Sequence, residues 1–282
     1  MLAQAGQITH TFAAAAGGEQ TVRRRLRFTL TFRNTSARML SASSFWAYLP
    51  ADRPPYQVLR AIQVSEPYQV EHDSLGHRIL SLSFSRIAAQ AHKVVTLTTE
   101  VEMQPGQPDP VMETSPQPVV WLNPQHNIES DDVRILKQAE LLRRSTPRET
   151  ARAIYDWVIQ RMTYAGYLAE ELGAVQALVQ GRGDCTEYAD LVAALARAAG
   201  IPARVVGGYV VDRDTTPRPQ DYHNWSELYL DGGWRLVDAQ KRYWLDSPGY
   251  QYIVFRIHHD EMINRVGLAQ RYRITEGLGV TF

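Results

Sequence analysis

In the N-terminal third of the chain hydrophobic residues fall at every second position. Leu26, Phe28, Leu30 and Phe32 alternate with Arg27, Thr29 and Thr31, the spacing of a strand with one face buried and one in solvent. Leu80, Leu82 and Phe84 repeat the pattern, as do Val95 with Leu97 and Val101 with Met103. Asn34, the Pro54-Pro55 pair and Gly76 punctuate these runs as turn residues. The pattern predicts an antiparallel β-sandwich over residues 1–105.

Pro105, Pro108, Pro110, Pro116 and Pro118 then fall in a stretch with no apolar period, which places a linker or surface strap over residues 106–125. From residue 126 to 282 the period becomes helical and then extended again. A first helix is expected from Asp131 to Arg144. A second follows Thr146-Pro147-Arg148-Glu149, where Thr146 can cap and Glu149 can reach back. Its stripe of Ala151, Ile154, Trp157, Val158 and Met162 reads as core. A third helix should run from Cys185 to about Ala199, stopped by Gly200 and Pro202. Strands are expected at 203–211, 224–230 and 234–238, the last two joined in a hairpin at Asp231-Gly232-Gly233. The fold class is therefore α+β, a sandwich followed by an α+β unit.

Composition narrows the chemistry. Thirty Lys and Arg balance thirty Asp and Glu, which gives no global field for nucleic acid or an acidic membrane. The run Arg23-Arg24-Arg25 reads as the solvated start of a strand. No apolar run approaches the roughly 18 residues of a spanning helix. One cysteine, Cys185, allows no intrachain disulfide, thiolate zinc site or iron-sulfur cluster. His258-His259-Asp260 lacks the histidine spacing of a metalloprotease helix and reads as a solvated surface run. No cofactor or metal is expected. Leu2-Ala3-Gln4-Ala5-Gly6 reads either as the end of a secretory signal or as an ordinary small-residue N-terminus, which leaves export and cytoplasmic residence both open.

A lone cysteine is either packing or a reagent. Gly181-Arg182-Gly183-Asp184 puts Cys185 after a glycine-rich turn at the first turn of a helix, where unpaired N–H groups and the helix dipole favour a thiolate. His223 follows 38 positions on (223 − 185), and Asp238 another 15 (238 − 223). In a hairpin turning at Gly232-Gly233 those two lie near the same end of neighbouring strands, so a carboxylate can orient an imidazole that serves the thiol. Trp225 and Trp234 read as walls beside the site. Tyr164 and Gln176 are weak candidates for an oxyanion donor next to the Cys185 N–H.

The segments Gly183-Asp184-Cys185-Thr186-Glu187-Tyr188, Ala198-Ala199-Gly200-Ile201-Pro202-Ala203-Arg204-Val205-Val206-Gly207-Gly208-Tyr209, His223-Asn224-Trp225 and Gly233-Trp234-Arg235-Leu236-Val237-Asp238 resemble the core of bacterial transglutaminase-like proteins. The resemblance covers about 130–239 and implies a papain-like fold with catalytic Cys185, His223 and Asp238, and with Gly183, Asp184, Asn224 and Trp225 near the substrate. Asn224 stands where alanine is common in that family, and Ala239 where proline commonly follows the aspartate. The implied partner is a peptide or protein substrate. The implied reaction passes through an acyl-enzyme thioester, resolved by water in a cysteine peptidase or amidase, or by an amine in a transglutaminase. A peptide-binding module without turnover and a buried, unreactive cysteine are the readings from other classes.

Overall fold

The computed structural model describes residues 8–11, 21–54, 56–104, 117–244, 251–261, 263–269 and 271–282. The small-residue segment 2–6 and most of the proline-rich strap lie outside them. Alternation along the chain becomes two facing antiparallel sheets. The first joins β1 (Ile8–Thr11), β2 (Val22–Asn34), β4 (Gln57–Val64), β7 (His92–Met103) and β15 (Leu278–Thr281) in the order β1-β4-β7-β2-β15. The second joins β3 (Ser43–Leu49), β5 (Tyr68–His72), β6 (Arg78–Phe84) and β14 (Tyr272–Ile274) in the order β14-β3-β6-β5. Leu26, Phe28, Leu30 and Phe32 point inward, as their spacing requires, and Phe32 meets Phe45 across the sandwich at 5.0 Å between ring centroids.

The strands β14 and β15 revise the expected division of the chain. Residues 126–282 were expected to form one catalytic unit, yet the C-terminal strands return to the sandwich. Val280 pairs with Phe32 on β2, and Arg273 with Trp46 on β3. Each sheet thereby gains a short terminal strand over an otherwise open edge.

Among the described residues, four α-helices and a third, four-stranded sheet make most of the remainder. α1 (Val133–Leu142), α2 (Pro147–Arg161) and α4 (Cys185–Ala198) lie where the sequence places them, while α3 (Gly173–Gln180) is additional. Thr146 and Glu149 form the expected reciprocal cap on α2. β8 (Thr163–Tyr164) and β9 (Arg182–Gly183) make a two-residue parallel pair beside the start of α4. The sheet runs β12-β11-β10-β13, from β10 (Ala203–Val210), β11 (Tyr222–Leu230), β12 (Gly233–Val237) and β13 (Tyr252–Ile257). The β11–β12 hairpin turns at Asp231 and Gly232, with φ of 54° and 79°, the pair of positive values that a type I′ turn needs.

Both faces of this sheet are covered. Val205, Leu228, Leu230 and Val237 share a core with the helices, whereas Tyr209, Ile253 and Phe255 join the sandwich core. That explains why β13 is buried throughout and, Arg256 apart, lacks the apolar–polar alternation of a half-exposed strand. A buried ion cluster fastens the two layers: Glu227 on β11 takes Arg53 from the loop after β3 at 2.9 Å and Arg204 on β10 at 2.7 Å. Burial raises the Glu227 carboxyl, but the two guanidinium groups outweigh it and hold it below its usual range.

Candidate active site

The thiol is placed by a capped helix end. Asp184 caps α4, accepting from the Thr186 N–H at 2.7 Å, while Glu187 accepts the Asp184 N–H at 2.8 Å. Their remaining oxygens take the N–H groups of Leu168 and Leu172, both at 3.0 Å, and so tie the segment after β8 to the same turn. Gly183 is required by closeness: a Cβ there would lie 2.3 Å from the Glu187 Cβ. Tyr164, on β8 beside Gly183, is brought next to Cys185.

His223 and Asp238 meet across the β11–β12 ladder, with Nε2 2.6 Å from Oδ2 in a buried contact. The carboxylate is itself held. Tyr252 on β13 donates its hydroxyl to the same Oδ2 at 3.0 Å, and the Lys241 N–H donates to Oδ1 at 2.9 Å. Trp225 stacks on the imidazole at 6.1 Å between ring centroids. Engagement of Nε2 leaves Nδ1 as the nitrogen free of the carboxylate, and Cys185 and His223 open into the same cleft.

The thiol does not have the depressed pKa expected of a helix N-terminus. Burial pushes Cys185 up to about 11, and the nearby Asp184 and Asp238 charges push the same way. The Asn224 backbone N–H and the Thr186 hydroxyl oppose this by hydrogen bonding to sulfur. Desolvation outweighs the dipole here because the sulfur lies largely inside the protein. Asn224 also donates its Nδ2 to the Thr186 hydroxyl at 3.0 Å, which bridges β11 to α4 in a way that alanine could not.

The cleft has a volume of about 360 Å³. Tyr164 and Cys185 form one side, Gln240 and Lys241 another, and the segment from Val210 to Tyr222 the outer wall. The sandwich holds that wall: Asp214 accepts the Arg25 N–H at 2.8 Å, and Thr215 pairs with the β2 backbone through Arg25 and Arg27, both at 3.0 Å. Gly183, Asp184, Asn224 and Trp225 are buried and are not among the residues that line the cleft. Gln176 lies on an exposed face of α3, bonded to Gln180, and Tyr164 alone of the two oxyanion candidates reaches the cleft. Tyr252 and the outer wall carried no sequence signal of their role, since apolar spacing says nothing of which strand end a hydroxyl will meet.

The His258-His259-Asp260 run is solvated only in part, with Asp260 exposed and the two histidines half-buried. His258 Nε2 is buried, the His259 ring packs against Trp121 at 5.7 Å, and Asp260 accepts the His126 N–H at 2.8 Å. Among the described residues no group of three His, Cys, Asp or Glu side chains converges as metal ligands, and no helix is long and apolar enough to cross a membrane.

Comparison with known proteins agrees with this architecture. Residues 137–239 match the sequence model of the transglutaminase-like superfamily. No curated protein matches the chain. Among solved structures, one named "Putative Cysteine Protease" from Cytophaga hutchinsonii superposes with a TM-score of 0.61 at 20% identity, over 93% of this chain and 90% of that one. The periplasmic domain of TgpA from Pseudomonas aeruginosa aligns with a TM-score of 0.40 at 18% identity, over 73% of this chain and 89% of that one.

Proposed function

We propose, on the premise that this chain carries a transglutaminase-like domain over residues 137–239, that it is a thiol hydrolase of peptide or side-chain amides. Cys185 is its nucleophile, His223 its acid and base, and Asp238 the group that orients the histidine. The observation that carries this reading is the buried 2.6 Å contact between His223 and Asp238, on a ring that opens into the same cleft as the chain's single thiol.

The resting thiol is protonated, so its proton moves to His223 Nδ1 as sulfur attacks the amide carbon. The imidazolium so formed is stabilised by Asp238 through Nε2–H. Collapse of the tetrahedral intermediate breaks the carbon–nitrogen bond, and the departing amine takes the proton from Nδ1. A thioester on Cys185 remains. Water, deprotonated by the same nitrogen, attacks it and releases the acid and the thiol. The Cys185 N–H, in the first turn of α4, and the Tyr164 hydroxyl, which lines the cleft, are the candidate donors to the developing oxyanion.

Hydrolysis is favoured over transamidation because the cleft is open to water, and an amine acceptor must exclude water to win. Incubation with a peptide library, with and without a primary amine, separates the two by product mass. Acids in both incubations are expected. Amine conjugates as the main product would make it a transglutaminase, and tight peptide binding without any product would make it a binding module.

A further inference from the structure

A second cavity, of about 260 Å³, lies beside the start of α4: Thr186 lines it, as the preceding residue Cys185 lines the cleft. Asp190, one helical turn beyond Thr186, faces the same way. Asp190 is 3% exposed, and its Oδ2 has no hydrogen-bond partner in the structure. His258 Nε2, across the cavity, is likewise buried without a partner. A folded protein holds a few such atoms, each costly to leave unsatisfied, and two that line one cavity point to a ligand that satisfies both.

The lining states the charge of that ligand. Glu171, Asp190 and Asp260 contribute three acidic side chains against the single guanidinium of Arg256, which donates to the Leu268 carbonyl oxygen at 3.3 Å, and Asp190 becomes a carboxylate once its proton leaves. Asp260 accepts the His126 N–H, and Glu171 accepts from the Asn127 side chain. A divalent metal would need convergent ligands, and the described residues offer no group of three. An ammonium ion has three donors and no fixed coordination geometry. The cavity is smaller than the roughly 300 Å³ at which drug-sized pockets begin, so the ligand has few carbons.

We propose that this cavity binds a small primary ammonium ion, with Asp190 Oδ2 and His258 Nε2 each accepting one of its N–H groups. The protonation states fit. Burial, with Glu171, Glu187 and Glu129 around it and Arg197 opposing, raises Asp190 far above its ordinary value, so an entering ammonium replaces a proton there. Burial, with Arg256 and His77 nearby, keeps His258 neutral and able to accept.

The test is calorimetric titration of the full chain carrying Cys185→Ala, so that no amine is consumed at the thiol and the result stands apart from the proposed hydrolase activity. The probe is n-butylammonium chloride, with tetramethylammonium chloride as a cation lacking N–H donors. Saturable binding of the first alone is expected, with proton release seen as a heat that depends on the buffer. Asp190→Asn should weaken it at least about tenfold, the loss of one hydrogen bond to a charged group. Should that variant not fold, Glu171→Gln at the exposed rim should weaken binding severalfold. No saturable binding, equal binding by the folded Asp190→Asn protein, or tighter binding of magnesium chloride overturns the proposal.

Discussion

The Asp238 carboxylate contacts His223, the Tyr252 hydroxyl and the Lys241 N–H, and in the proposed mechanism only the first concerns proton transfer. Asp238→Asn keeps the shape and most hydrogen bonds but can present an N–H to Nε2, which favours the wrong tautomer. In a serine triad that change lowers turnover on the order of 10⁴-fold, and a more acidic thiol should lose less. The prediction is a weak residual kcat with an unchanged melting temperature. His77 gives a different residue-level test. Its Nδ1 lies 2.7 Å from Asp73, and its Nε2 accepts the Ile257 N–H at 2.7 Å, so the folded protein needs the neutral ring. Burial and the nearby Arg256 and Arg204 charges hold its pKa below 6.5, against the opposing pull of Asp73. A depressed folded value contributes stability that is complete above the unfolded pKa and is lost as pH falls toward the folded one. Melting temperature should therefore drop between about pH 7 and pH 5, and less so in His77→Gln. Cysteine, histidine and aspartate could be singled out in the sequence because their order and spacing are chemical. The depth of the sulfur could not, because burial is set by the segments before and after α4 that close over it.

At the scale of elements, the start of α4 depends on the approach of β9 to the first helical turn. Gly183→Ala would press a methyl group against Glu187, whose carboxylate holds both the Asp184 N–H and the Leu172 N–H. Overpacking of this kind costs about 1–3 kcal/mol. Urea titration should show that loss, and activity should fall further than the loss of folded protein accounts for, since the same turn carries Cys185. The long periodic elements were legible: β2, α2 and α4 follow from alternation, the Thr146 cap and the Gly200-Pro202 stop. α3 was not, being eight residues long and opened by Gly173 without a side-chain cap. β14 and β15 escaped for another reason, since three or four residues carry too little pattern to reveal which distant strand they will pair with.

Across the whole molecule, the sandwich is joined to the β12-β11-β10-β13 sheet by Arg53, Glu227 and Arg204, and its β2 strand holds the outer wall of the cleft. Removing the shared carboxylate takes an ion-pair partner from two buried cations. Glu227→Ala should destabilise by about 3–5 kcal/mol in chemical denaturation, whereas a mutation of an exposed pair such as Arg152 and Asp156 should change little. This dependence of the cleft on the sandwich could not be read from a sequence in which the two parts have different periods and a proline-rich strap between them. The central claim concerns one atom, the Cys185 sulfur. Turnover of a peptide library by folded Cys185→Ala, measured by product mass beside the wild-type protein, tests it most directly. The expected result is complete loss of product with an unchanged melting temperature; product formed at the wild-type rate would contradict the assignment of the thiol.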